Sequence, residues 1–255
     1  MRALDSVSLG QVAAALALVV LAAAVSAWRQ VGLERDVGLA ALRAFVQLTA
    51  VGYAIQLVFG LDSIPVVIAL LSGMVVLGAF TARGRARSVP GALGPLVAAL
   101  ALATAATLGL VVALGVFPPE TRYLVPVGGM VVGNAMTAAA VALNRLGDEV
   151  AASAARIEAT LALGATAAQA VAPAVRRSLR SGMLPLIDQT KTTGLIAFPG
   201  VMVGMLLGGA EPIDAVRLQL ILLYLLLGSV ALAALLAVLL GVRGFFTAAH
   251  QLRDR

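Results

Sequence analysis

One lysine, Lys191, one histidine, His250, and no cysteine limit what this chain can do chemically. A P-loop ends in Gly-Lys-Ser/Thr, because backbone amides and a lysine together cradle the phosphates. Lys191 follows Thr190 and meets no such pattern, so any ATP hydrolysis that serves this chain must reside on another polypeptide. Without cysteine there are no disulfides, zinc fingers or iron–sulfur ligands. A single imidazole near the C-terminus cannot complete a histidine-rich metal cage, and His250 reads as a solvated tail residue.

The remaining polar groups fall into three sets. Glu158-Ala159-Thr160 is followed by Gly164-Ala165-Thr166 and Gln169. Thr166 and Gln169 have the spacing of a capping box, in which hydroxyl and amide satisfy first-turn backbone donors. Asp188 and Lys191 stand at i, i+3, the spacing of a helix-surface ion pair. Gln47, Gln56, Asn134 and Thr137 lie in otherwise apolar stretches, where a polar group is costly unless it faces protein or water. Met130, Asn134 and Thr137 share one helical stripe, a candidate substrate path with Met202 and Met205 facing it; the competing reading is interhelical packing. Thioether and amide oxygen are weak ligands, so tight metal binding is not expected and the metal is left unknown.

The elements that must position these groups are membrane helices. Hydrophobic residues make up 61% of the chain and charged residues 12%, against about 25% charged in a soluble domain. A spanning helix needs about 20 apolar residues to cross about 30 Å of hydrocarbon. Seven segments qualify: Leu9 to Trp28, Ala44 to Leu61, Ile64 to Ala82, Ala92 to Phe117, Leu124 to Leu143, Gly194 to Ala210, and Leu218 to Val242. None holds a charged side chain. Val25-Ser26-Ala27 resembles a signal cleavage site, but the long apolar stretch and the positive charge that follows at Arg29 favour a retained span.

Cationic loops stay on the cytoplasmic side. Alternate loops divide the 18 lysines and arginines fifteen against three, which places the N-terminus outside and the C-terminus in the cytoplasm. The net charge of +6 is thereby explained without nucleic acid, for which no basic helix with interleaved aromatics exists. The external connections are too short to hold a domain. One polar stretch of about 50 residues, Asn144 to Thr193, is cytoplasmic. Within it a helix from Asp148 to Leu163, a turn at Gly164 and a second helix toward Ser181 are expected. Arg176, Arg177 and Arg180 fall on one side of that second helix, as a cationic collar at the lipid surface or as a docking surface.

Glycines at four-residue spacing let spans approach closely. Gly129 with Gly133, and Gly200 with Gly204 and Gly208, form two such ridges, and Pro199 is expected to kink the sixth span. Packing and a gate for alternating access are both open readings of Pro199 and Gly200, as are a boundary ion pair and a link to that gate for Asp188 and Lys191.

The run from Glu158 to Gln169 resembles the opening of the EAA loop of ABC transporter permeases, the cytoplasmic element that seats in the ATPase. In the importer pattern a Leu-Pro pair follows the glycine sooner than Leu184-Pro185 does here. Longer stretches carry a closer likeness: Arg43-Ala44-Phe45-Val46-Gln47-Leu48, Gly129 to Met136, Ile187-Asp188, Lys191 to Leu195, and Phe198-Pro199-Gly200-Val201-Met202 resemble the FetB-type permease family over about Glu34 to Gln251. Members of that family are described as membrane subunits of an iron exporter, and related plant proteins act with an ATPase subunit in aluminium tolerance. The resemblance implies one permease domain over residues 1–255 that crosses the cell (inner) membrane several times, acting as a homodimer. It implies an ATPase docked on Glu158, Ala159, Gly164, Ala165, Thr166 and Gln169, with ATP and Mg bound on that partner and no cofactor on this chain.

A secondary transporter driven by protons or sodium is the alternative, with the Pro199 break as a partial match and no ionisable residue in the spans. An intramembrane enzyme would need paired aspartates, a Ser/His pair or a metal site within the spans, and none is present.

Overall fold

The computed structural model describes residues 9–59, 63–247 and 251–253. Among these the chain is helical, apart from isolated bridges at Thr193 with Ala197 and Phe246 with Leu252. The elements are α1 (Leu9–Trp28), α2 (Glu34–Phe59), α3 (Ile64–Arg85), α4 (Leu93–Ala113), α5 (Thr121–Ala152), α6 (Ala154–Ala162), α7 (Ala167–Thr192), α8 (Gly200–Leu207) and α9 (Pro212–Val242). A 3-10 turn covers Arg243–Phe245. His250 and the ends of the chain lie outside the described residues.

The chain divides into two compact units, Met1–Asp62 and Ser63–Arg255. The first is a hairpin of α1 and α2. Its turn is set by Gln30 (φ 55°) and Gly32 (φ 79°), and Ser26 Oγ accepts from Leu33 N and donates to the Glu34 carboxylate. Acidic Glu34 and Asp36 occupy the first turn of α2, where they complement the helix dipole. That start, at Glu34 instead of Ala44, lies roughly three turns before the expected second span, because helix formers such as Glu34, Arg35, Leu39, Ala40 and Arg43 precede Ala44 even though the stretch is not uniformly apolar.

The second unit packs α3, α4, α5, α7 and α9 around one core. The core is rich in alanine: Ala79, Ala82, Ala99, Ala103, Ala135, Ala139, Ala142, Ala233, Ala234 and Ala237. Helices lacking a hydrophobic drive to associate do so through small residues that bring backbones close. The glycines that serve this purpose are not the expected pairs. A Cβ at Gly182 would lie 2.7 Å from the Ala138 carbonyl oxygen, and one at Gly241 would lie 2.6 Å from Leu143 Cδ2. A Cβ on Gly128 would collide with Leu71, whereas Gly133, Gly200 and Gly204 meet nothing within 4 Å. The expected ridges are engaged only lightly within this unit, Gly129 by Met74 Sδ at 3.9 Å and Gly208 by the Gly204 and Met205 carbonyls of its own helix, since spacing alone does not say which face meets a neighbour.

Among the described residues five helices are long and apolar enough to cross a membrane: Gly10–Trp28, Ile64–Arg85, Leu93–Ala113, Thr121–Ala152 and Pro212–Phe245. The expected sixth span, Gly194 to Ala210, is not one helix. It resolves into a bent segment and α8, which at eight residues is about 12 Å long and cannot cross alone. Gly194 adopts φ 86°, and Pro199 caps α8 instead of kinking a continuous helix. The helix arriving from upstream, α7, has already ended at Thr192, where Thr193 turns to extended backbone (ψ 131°) and Gly194 to the left-handed region.

α7 continues well beyond Ser181, through Pro173 and Pro185, and runs back along α5. Arg177 meets Glu149, Gly182 abuts Ala138 and Ala142, and Leu186 shares a buried cluster with Val131, Ala138, Leu226 and Val230. The second half of α7 thus lies beside the apolar middles of α5 and α9, a correction to the reading of 144–193 as wholly outside the spans. Ser178, Gly182 and Leu186 form its packed stripe, while the polar residues of its other face dilute the hydropathy on which that reading relied.

Candidate functional site

The Glu158 to Gln169 region is a helical hairpin. α5 runs on to Ala152, so Asp148 belongs to it and not to a separate helix; the break falls at Ser153, whose hydroxyl donates 2.6 Å to the Glu149 carbonyl. α6 then carries Glu158 and Ala159 on its exposed side and buries Ile157 in the core. Gly164 makes the turn at φ 91°, a left-handed conformation that suits glycine. The expected capping box is present: Gln169 N donates to Thr166 Oγ1 (3.3 Å) and Thr166 N to Gln169 Oε1 (2.9 Å). Glu158, Ala159, Gly164, Ala165, Thr166 and Gln169 are thereby brought together at one tip. Leu163 crowns it, 88% exposed, an apolar knob that the sequence reading did not single out.

The base of this hairpin is held by a carboxylate that sequence reasoning missed. Glu149, with its side chain only 10% exposed, accepts from Arg145 Nη2 (2.6 Å) and from Arg177 Nε (2.6 Å). One anion joins α5 to α7 across the root of the hairpin. Arg177 is therefore a tie between helices although its side chain is 45% exposed, whereas no ion pair holds exposed Arg176 and Arg180 among the described residues. The signal was present as Arg145 and Glu149 at i, i+4, but no spacing rule points to the third member, which lies 28 residues away. Beside the tie, between α7 and the end of α9, is a cavity of about 490 Å³ whose lining includes Val171, Val175, Leu239 and Arg243.

The charges of the second unit segregate in space. Arg83 and Arg85 end α3, Arg87 follows, and Arg145, Arg177 and Arg243 gather at that same end, where Gly244 closes on Pro90 and Gly241 on Val89. At the opposite end Arg122 pairs with Glu120 (2.7 Å) and Arg217 with Asp214 (3.4 Å).

The candidate path residues are not assembled into one lining. Met130 packs on the cluster that holds Leu186, Asn134 Nδ2 donates 2.8 Å to the Met130 carbonyl, and Thr137 Oγ1 donates 3.0 Å to that of Gly133. Both polar groups thus satisfy their own helix. Met202 and Met205 do not face this stripe: among the described residues α8 packs on α9 and not on α5. Gln47 is exposed in the first unit, and the side chain of Gln56 lies outside the described residues. Asp188 and Lys191 form the expected pair at 3.4 Å, both exposed, in the last turns of α7. Pro199 and Gly200 begin α8 beyond the break. Among the described residues no group of three or more His, Cys, Asp or Glu side chains is placed to hold a metal ion.

A family model described as an uncharacterised protein family, UPF0014, matches residues 9–246. The chain is 42% identical over 243 residues to the UPF0014 membrane protein STAR2 of Oryza sativa subsp. japonica, covering 94% of this chain and 85% of that one. It is 38% identical to the protein ALUMINUM SENSITIVE 3 of Arabidopsis thaliana, covering 94% and 88%. It is 32% identical to the probable iron export permease protein FetB of Escherichia coli, covering 94% and 93%. No solved structure matches.

Proposed function

The chain belongs to the UPF0014 family, and on that premise we propose that it is the membrane-spanning permease subunit of an ATP-driven ABC exporter, with iron as its cargo. A separate cytoplasmic ATPase, carrying ATP and Mg, seats on the 158–169 hairpin. The observation that carries this reading is the hairpin itself: an exposed tip of Glu158, Ala159, Leu163 and Gly164 whose base is fixed to two long helices by Glu149. A tip that moves as one body with α5 and α7 can pass a push from outside the membrane to helices within it.

The chain forms one permease domain that crosses the inner membrane seven times, with the N-terminus outside and the C-terminus in the cytoplasm. The basic end of the second unit faces the cytoplasm, as cationic loops do. The sixth crossing is composite, made by the second half of α7, the bent segment and α8. Two copies and two ATPases complete the transporter. Iron comes from the name of the Escherichia coli relative and from the family resemblance, not from a ligand set in this chain.

Coexpression with a candidate ATPase tests the assignment. Glu158→Lys and Gly164→Pro are each expected to abolish co-purification of the ATPase and ATP-coupled transport, with the permease itself still folded in detergent. Intact assembly and transport in both variants would refute docking at this hairpin. One observation favours a second reading, an ion-coupled secondary transporter: a crossing broken beside ionisable residues is how many such proteins build their sites. Transport driven by a proton or sodium gradient, with no ATPase present, would decide for it.

A further inference from the structure

The register of α7 against its neighbours places two charged side chains at a depth where none was expected. Leu186 shares its buried cluster with Val131 and Ala138 of α5 and with Leu226 and Val230 of α9. These residues bracket the midpoints of the apolar stretches Leu124 to Leu143 and Leu218 to Val242. At 1.5 Å per residue, Asp188 lies about 3 Å and Lys191 about 7 Å farther along the axis, well inside a hydrocarbon half-thickness of about 15 Å. Yet their side chains are 59% and 69% exposed on this chain. Charged groups at that depth cost several kcal/mol against lipid and are found facing a water-filled cavity or protein. Irregular backbone at such depth obeys the same rule. It begins two residues after Lys191, where, among the described residues, the Leu195 and Ile196 carbonyls accept no hydrogen bond.

We propose that Asp188, paired with Lys191 beside the break in the sixth crossing, is the carboxylate over which a cationic cargo passes, in a water-filled path at the middle of the membrane. This rests on the transport reading above and names the polar centre of that path. One carboxylate, free carbonyls and the amide of Gln189 are oxygen donors, which suit a hard cation keeping part of its water shell and not a soft one such as Cu(I). Lys191 supplies the positive charge when cargo is absent. The arriving cation displaces the ammonium from Asp188, and the ammonium's return helps release it, so the site holds cargo weakly by construction.

The absence of cysteine makes the placement directly testable, because any introduced cysteine is the only thiol. In vesicles holding the full chain, with or without an ATPase, Gln189→Cys is expected to react with a charged, water-borne thiol reagent at least about tenfold faster than Leu102→Cys, since only a hydrated thiol ionises. Leu102 is an exposed, apolar residue midway along α4. An inert Gln189→Cys would overturn the water-filled path, and would show that this face is sealed against protein or lipid. In vesicles with the ATPase, Asp188→Asn is expected to lower ferrous-iron transport by about tenfold or more with assembly intact, and Asp188→Glu to restore much of it. Lys191→Gln is expected to tighten ferrous-iron binding and slow its turnover. Wild-type transport in Asp188→Asn would refute the role of the carboxylate. If the unsubstituted chain moved no iron under ATP, the transport reading would fall, while the accessibility result would still decide whether Asp188 borders water.

Discussion

The two halves of α7 differ sharply in how they are held. The first half, Ala167 to Gly182, buries Ala170, Val171, Ala174, Ser178 and Gly182, starts in a two-sided cap, and is tied to α5 by a carboxylate shared between two arginines. The second half buries only Leu186, then presents Asp188, Gln189 and Lys191 on open faces and gives way to a bent segment and to α8, which buries nothing. One helix therefore has a fixed end and a loose end. The fixed end carries the tip proposed to dock an ATPase and the loose end the proposed cargo contact, the division of labour expected of an element that receives force at one place and changes shape at another.

The sharpest way to break this contrast is at Glu149. Glu149 is the buried member of an ion cluster whose two arginines are half-exposed, so Glu149→Ala loses two charge-assisted hydrogen bonds but leaves the cations to water, and is expected to destabilise the second unit by about 2–3 kcal/mol. Thermal unfolding in detergent measures it, and a Tm equal to wild type would show the two ends of α7 to be alike. Next comes Gly182→Ala, whose new methyl would meet the Ala138 carbonyl and the Ala142 Cβ at 2.7 and 2.8 Å. Overpacking of that kind costs about 1–3 kcal/mol. The matched substitution at the loose end, Gly204→Ala, meets nothing and is expected to be neutral or to stabilise α8 by up to about 1 kcal/mol. Opposite signs in one unfolding series would sharpen the comparison; equal losses would erase it.

Thr166→Ala removes half of the capping box and is expected to cost about 1 kcal/mol, read as a modest fall in Tm. The smallest effect belongs to Asp188→Asn, since an exposed i, i+3 pair contributes about 0.3 kcal/mol to stability. A large stability loss there would mean that the pair holds the fold, and would count against its being a contact for cargo.

Much of the fold was legible because lipid imposes a simple rule: long apolar runs become helices that satisfy their own backbones. α1 has the bounds read from its sequence, α3, α5 and α9 cover their expected stretches with extensions at charged ends, and α4 falls short of its own, running from Leu93 to Ala113 where Ala92 to Phe117 was expected. The hairpin tip was legible too, since Gly164 and the Thr166–Gln169 pair act within a few residues of one another. The Glu149 tie was not, because Arg177 reaches it from a distant helix. Nor was the path lining: Met202 and Met205 were placed opposite Met130 by assuming that α8 was part of a whole span.

Local chemistry alone determined that this chain is a helical membrane protein whose sequence has no P-loop pattern, and where its caps and turns fall, because those properties depend on neighbours along the chain. Only the tertiary structure decided how far α7 reaches into the bundle, which glycines touch another helix, and beside which stretches of α5 and α9 Leu186 lies. Those depend on the register of one helix against another. That register is set by small residues such as Gly182 fitting against Ala138 and Ala142, and no periodicity within a single helix encodes it.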